Sequence, residues 1–205
     1  MFKPFNQKSI IFIFVLLALL LMACLGIYYV PHGTARVNIH NDMALLDTPE
    51  FMQWQQQGTF ASFTIDSKLG VEKDSLAIKA YVYDHTKLVN TIDIGYVYGQ
   101  STNQAVTVQL YRSEKEGFSL ASMGAGMSYS SEPFLMNLKE MPGYGLTVNP
   151  KVDVKSTDKE IVVAVYTIGS TIRHIEGKIF KENSNLPFAE NVMTIIFTVQ
   201  YKESY

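Results

Sequence analysis

Thr91-Ile-Asp-Ile-Gly-Tyr-Val-Tyr98 is the stretch on which the fold reading turns. Ile92, Ile94, Tyr96 and Tyr98 fall on one face of an extended chain, with Asp93, Gly95 and Val97 on the other. A period of two with an apolar face is the pattern of a strand lying between a dry core and a wetter side. Working outward, the same Val, Ile, Thr, Tyr and Phe enrichment recurs at 60–66, 76–83, 105–112, 146–154, 161–168, 171–180 and 192–201. With 91–98 these make eight runs, and a shorter alternation around Val37 offers a ninth strand.

The connections suit antiparallel neighbours. Gly169-Ser170, between Ile168 and Thr171, reads as a two-residue hairpin of type II′. Tyr98-Gly99-Gln100-Ser101 and Met141-Pro142-Gly143 are further turn clusters. No helical pattern separates successive runs, which disfavours parallel β-α-β units. The expectation is an all-β, antiparallel, immunoglobulin-like β-sandwich with its strand order open. One short helix is expected at 48–58: Thr48 caps it, Pro49 occupies the first turn, Glu50 faces the positive end of the dipole and Gly58 stops it. Phe51 and Trp54 share a face of that helix, so the single Trp is expected to plug one end of the core.

Upstream of the strands lies IIFIFVLLALLLMACLGIYYV, residues 10–30, without a charged side chain. As a helix it would reach about 30 Å, the thickness of a bilayer hydrocarbon core. Two readings stand side by side: an uncleaved transmembrane helix, or a secretory signal with a basic start and an apolar centre. Leu21-Met22-Ala23-Cys24 resembles the lipobox of bacterial lipoproteins, although Met22 is unusual there and an apolar stretch follows the cysteine. That resemblance implies a cleaved and acylated Cys24, and more than one acyl chain is what stable attachment requires. Cys24 is the only cysteine in the chain, and in an uncleaved helix it would be one more small hydrophobe. Lys3 and Lys8 precede the run and only Arg36 follows it before Asp42, so the N-terminus is expected in the cytoplasm and the rest outside. The expected organisation is a basic end at 1–9, the anchor at 10–30, a tether at 31–35 and one outer domain at 36–205.

The chain holds 17 basic and 19 acidic side chains, and setting aside Lys3 and Lys8 leaves the outer part net acidic. Nucleic acid and anionic lipid faces need the opposite balance, so neither is an expected partner of the domain. No second cysteine can close a disulfide, and the fold must hold by the size of its core. The absence of any Asn-x-Ser/Thr triplet favours a bacterial envelope.

Catalytic signatures are weak. His32, His40, His85 and His174 show no metal-ligand spacing, and His174-Ile175-Glu176 is a single polar pair on a strand. Ser119 lacks the second glycine of a nucleophile elbow. Ser156-Thr-Asp-Lys159 matches Ser-x-x-Lys by letter but sits in a polar turn, and Met123-Gly-Ala-Gly-Met127 has no strand-loop-helix setting for phosphate. The chain is therefore not read as an enzyme, and no cofactor is expected.

The unusual stretch is 117–141, which holds Phe118, Met123, Met127, Tyr129, Phe134, Met136 and Met141 among glycines and serines. It is too glycine-rich for a firm strand. Its methionines fill core gaps in an irregular edge strand and loop, or form an adaptable partner surface, or bind Cu(I) through soft thioethers. The functional expectation is a protein-binding or assembly module outside the membrane, with Met123, Met127, Tyr129, Phe134 and Met136 on its partner surface. An accessory subunit of an envelope machine and a periplasmic immunity protein both fit that description. The alternative is a periplasmic small-ligand or metal-ion carrier.

Overall fold

The computed structural model describes residues 13–21, 30–42, 59–99, 104–113, 117–124, 127–131, 144–169 and 191–204. Residues 13–21 form a helix in which every residue is apolar and exposed, Phe14 at 71%. Among the described residues no helix is long and apolar enough to cross a membrane. Cys24 and the helix expected at 48–58 lie outside the described residues.

The domain itself is built of strands. One antiparallel sheet contains β1 (Thr34–Asn41), β2 (Thr59–Leu69), β5 (Gln104–Ser113), β6 (Gly117–Gly124), β7 (Met127–Ser130) and β9 (Lys151–Lys155), in the order β7-β6-β5-β2-β1-β9. The other contains β3 (Ser75–Asp84), β4 (Lys87–Tyr98), β8 (Tyr144–Val148), β10 (Ile161–Gly169) and β11 (Asn191–Lys202), in the order β4-β3-β11-β10-β8. The two sheets share one core, as alternation predicts. Ala35, Val37 and Ile39 of β1 and Phe63 and Ile65 of β2 join Ile78, Ala80 and Val82 of β3 and Ile195, Phe197 and Val199 of β11 in a single cluster. Phe63 and Phe197 bridge the sheets, their ring centroids 4.8 Å apart and their planes at 68°, an edge-to-face contact.

An antiparallel sandwich is therefore what the chain forms. Its strand order departs from the constant-type immunoglobulin pattern, which leaves its last strand at a sheet edge. Here β11 lies inside its sheet, between β3 and β10.

Two local expectations are corrected. The run 146–154 is not one strand but two: it breaks at Asn149-Pro150, where β8 leaves one sheet and β9 joins the other. Asn149 N–H donates to the Val163 carbonyl at 2.8 Å and Ile39 N–H to the Pro150 carbonyl at 3.1 Å, so the crossing is pinned to both sheets. Proline has no N–H to give a ladder, which makes it a suitable corner for a strand that changes sheets. Ser170 of the hairpin expected at Gly169-Ser170 and the run 171–180 that follows it lie outside the described residues, and β10 pairs with β8 on one side and with β11 on the other. The stretch expected to be too glycine-rich for a strand is one, since β6 pairs along its whole length with β5 and then with β7. Two flanking ladders outweigh the entropic cost of its glycines. Val30 is buried, Gly33 accepts from Ser156 N–H at 2.8 Å, and β1 begins at Thr34.

The opening octapeptide holds a further departure. Ile78 faces two residues of β4, Ile94 and Gly95, a bulge that shifts the register by one. Gly95 takes a φ of 147°, a conformation that side chains disfavour. Beyond it the faces exchange: Val97 turns inward at 0% exposure, while Tyr96 and Tyr98 point out at 43% and 53%. Gly95→Ala is expected to cost about 1–3 kcal/mol, read as a lowered melting temperature of the full chain. An unchanged melt would mean that the bulge relaxes without strain.

Candidate functional site

Five large apolar side chains of the described sandwich stand exposed: Leu88, Val89, Tyr96, Tyr98 and Met123. Four are on β4 and one on β6, and these strands touch at one flank of the sandwich, where Ser122 Oγ donates to the Ile94 carbonyl at 3.3 Å. Tyr96 and Tyr98 stack with ring centroids 6.4 Å apart and planes 30° apart. Among the described residues β4 pairs only with β3, and β7 only with β6, so both strands leave a backbone edge on this flank. At the opposite flank the edge strands β9 and β8 are joined by the crossing at Asn149-Pro150.

Met123, expected on a partner surface or in the core, is 66% exposed, which removes it from the core. Met127 and Tyr129 lie on β7, where Tyr129 is in register with Ser122 and Met127 with Gly124. Phe134 and Met136 fall outside the described residues. The tyrosines of β4 were not anticipated as surface groups, because unbroken alternation puts them with Ile92 and Ile94. The signal was Gly95, since a glycine inside a strand pattern marks a bulge.

Two polar networks hold the perturbed ionisable groups. On the outer face of β3, β10 and β11, Glu160 accepts from Tyr81 OH, from Thr198 Oγ1 at 3.1 Å and from Lys79 Nζ at 3.2 Å. Burial alone would raise the Glu160 pKa, but the bonds from Tyr81, Lys79 and Thr198 outweigh it and hold the carboxyl below its ordinary range. Burial and the same carboxylate push Tyr81 up, and the Glu160 bond raises Lys79. At one end of the sandwich Asp74, 3% exposed, accepts from Tyr201 OH at 2.5 Å, Ser204 N–H at 3.0 Å and Ser204 Oγ at 3.3 Å. Burial again works against the charge, and the donors, with His32 nearby, leave Asp74 below its ordinary range and Tyr201 above its own. Both carboxylates are thus kept ionised and both phenols neutral. A general acid or an activated phenol near neutral pH needs the reverse tuning.

The remaining candidates resolve simply. Ser119 is buried at 2%, opposite Tyr111. Asp158 closes the turn at 155–158 by accepting from Lys155 N–H at 2.7 Å. His40 pairs with Asp66 at 2.9 Å and His85 with Asp84 at 2.8 Å, contacts that sequence spacing does not reveal. Among the described residues no group of three His, Cys, Asp or Glu could hold a metal ion. Compared with protein-family models, curated proteins and solved structures, the chain finds no match.

Proposed function

We propose that the chain is a membrane-anchored, extracytoplasmic protein-binding or assembly module of a bacterial envelope, working through the β4/β6 flank of its sandwich. The supporting observation is that all five exposed large apolar side chains of the described sandwich lie on that flank, on β4 and β6. Aromatic residues and methionine are enriched where proteins meet, and a stacked tyrosine pair on β4 and an exposed thioether on β6 suit such surfaces. The strand edges that are unpaired among the described residues offer backbone hydrogen bonds to an extended partner segment. The anchor rests on residues 10–30, whose described part is a helix apolar on every side, an arrangement stable in lipid or in a large core. On this reading the partner is another envelope protein, and the domain faces the periplasm from the inner membrane or hangs there by lipid at Cys24.

Capture of partners from the protein's own membranes tests the proposal. Tyr96→Ala/Tyr98→Ala and Met123→Glu are each expected to lower capture several-fold while changing stability by no more than about 0.5 kcal/mol, as surface substitutions do. Variants that keep their full capture would remove the flank from consideration.

A further inference from the structure

We infer that the end of the sandwich built from residues 30–34, 70–74, 99, 155–158 and 201–204 faces the lipid bilayer surface. The inference rests on the anchoring reading above and adds an orientation to it.

Val30 is the last residue of the apolar run and is already buried in the domain at 7% exposure. Eight residues separate it from Leu21, the last of the described helix, so Val30 lies at most about 30 Å from that helix by chain length alone. Tyr28 and Tyr29 in that interval are of the type that gathers at the membrane–water boundary. Whatever end of the sandwich receives Val30 is therefore the one the bilayer meets.

That end is tightly tied. Thr34 N–H donates to the Pro31 carbonyl at 3.2 Å, Gly70 N–H to the Thr34 carbonyl at 3.0 Å and Ser156 N–H to the Gly33 carbonyl at 2.8 Å. Gly70 lets the entering chain press against it, for a Cβ there would come within 2.1 Å of the Pro31 oxygen and 2.9 Å of the Val30 oxygen. Asp74 fastens the same end from the other side, through Tyr201, Ser204 and the Gly99 N–H that its own carbonyl accepts at 2.7 Å. From Val30 onward the chain is held to the domain, so the junction's own freedom is confined to the residues before it. The exposed groups of this end, among them Glu72, Lys73, Lys155, Lys202 and Glu203, mix both signs. Proximity there is set by the covalent chain and needs no headgroup attraction.

The opposite end carries the Asp84–Lys87 turn. From Lys73 to that turn runs the whole of β3, Ser75–Asp84, which at about 3.3 Å per residue sets the two levels roughly 30 Å apart.

The test uses the full chain inserted in phosphatidylethanolamine–phosphatidylglycerol vesicles, with an azide-bearing amino acid at Lys73 or at His85 coupled to a donor dye. An acceptor dye is carried on the lipid headgroups. Co-flotation with the vesicles is scored first, and energy transfer second. The expected result is co-flotation of both proteins, with transfer several-fold stronger from position 73 than from position 85. Equal or reversed transfer in protein that co-floats would overturn the orientation and leave the anchor standing. Protein that does not co-float would overturn the anchor, and the orientation with it.

Discussion

Cutting Phe197 back to alanine is expected to remove about 3–5 kcal/mol of unfolding free energy. Its ring is fully buried and meets Phe63 of the facing sheet at 4.8 Å, so the substitution opens a void between the two layers, where little can collapse into it. A domain of this size holds only about 5–15 kcal/mol in all, and this single change takes a large share. Phe63→Ala should cost a similar amount. The double variant should cost less than the sum of the two, by about 0.5–1.5 kcal/mol, which is the worth of the edge-to-face contact beyond buried area. Urea unfolding of the full chain reads all three, as a lowered midpoint at constant slope. A loss below 1 kcal/mol for either single variant would mean that the sheets are not packed through these rings.

Asp74→Ala is the second substitution with a large expected effect, about 3 kcal/mol, because it leaves the Tyr201 hydroxyl and the Ser204 N–H without their charged acceptor. The loss should depend on pH, and the sign follows from the direction of the shift. The folded pKa of Asp74 lies below its ordinary 3.8, so its contribution is complete above that value and fades as pH falls through the folded pKa. Glu160 adds a similar term below its ordinary 4.5. Tyr201 and Tyr81 are shifted upward from 10.0, so the stability they lend is complete below pH 10 and is lost as pH rises beyond it. Melting temperature against pH should therefore show a plateau between about 5 and 10 with a fall on each side. The gap between wild type and Asp74→Ala should be widest on the plateau and close toward pH 2. A gap that stays constant across that range would mean that Asp74 acts by packing and not by its charge.

Much of the sandwich was legible because burial imposes alternation. The strands from Ser75 to Asp84, Gln104 to Ser113 and Ile161 to Gly169 fall within one or two residues of the runs that pattern defines. Pairing across sheets was not legible. Leu146 to Val154 reads as one continuous strand, since the residues on either side of Asn149-Pro150 face the same core, and only their neighbours tell which sheet each belongs to. Gly117 to Gly124 was misjudged for a different reason: intrinsic propensity argues against a strand there, and ladders on both sides override it. The candidate site was hidden by a single residue. Unbroken alternation counts Tyr96 and Tyr98 as core, and one extra residue at Ile94-Gly95 turns them outward. Met123, singled out for its composition, does stand exposed, but the tyrosines that share its flank came to light only with the register.

The place of β11 sets the order in which the molecule can be assembled. It is the last described strand to leave the ribosome, yet it fills the middle of its sheet, with β3 on one side and β10 on the other. Until residues 191–202 are made, β3 and β10 have no partner between them, and Phe197 is missing from its place against Phe63. A nascent chain stopped short of that point has its second sheet only as two unjoined pairs, β4-β3 and β10-β8. This topology delays closure of the sandwich until residues 191–202 have emerged.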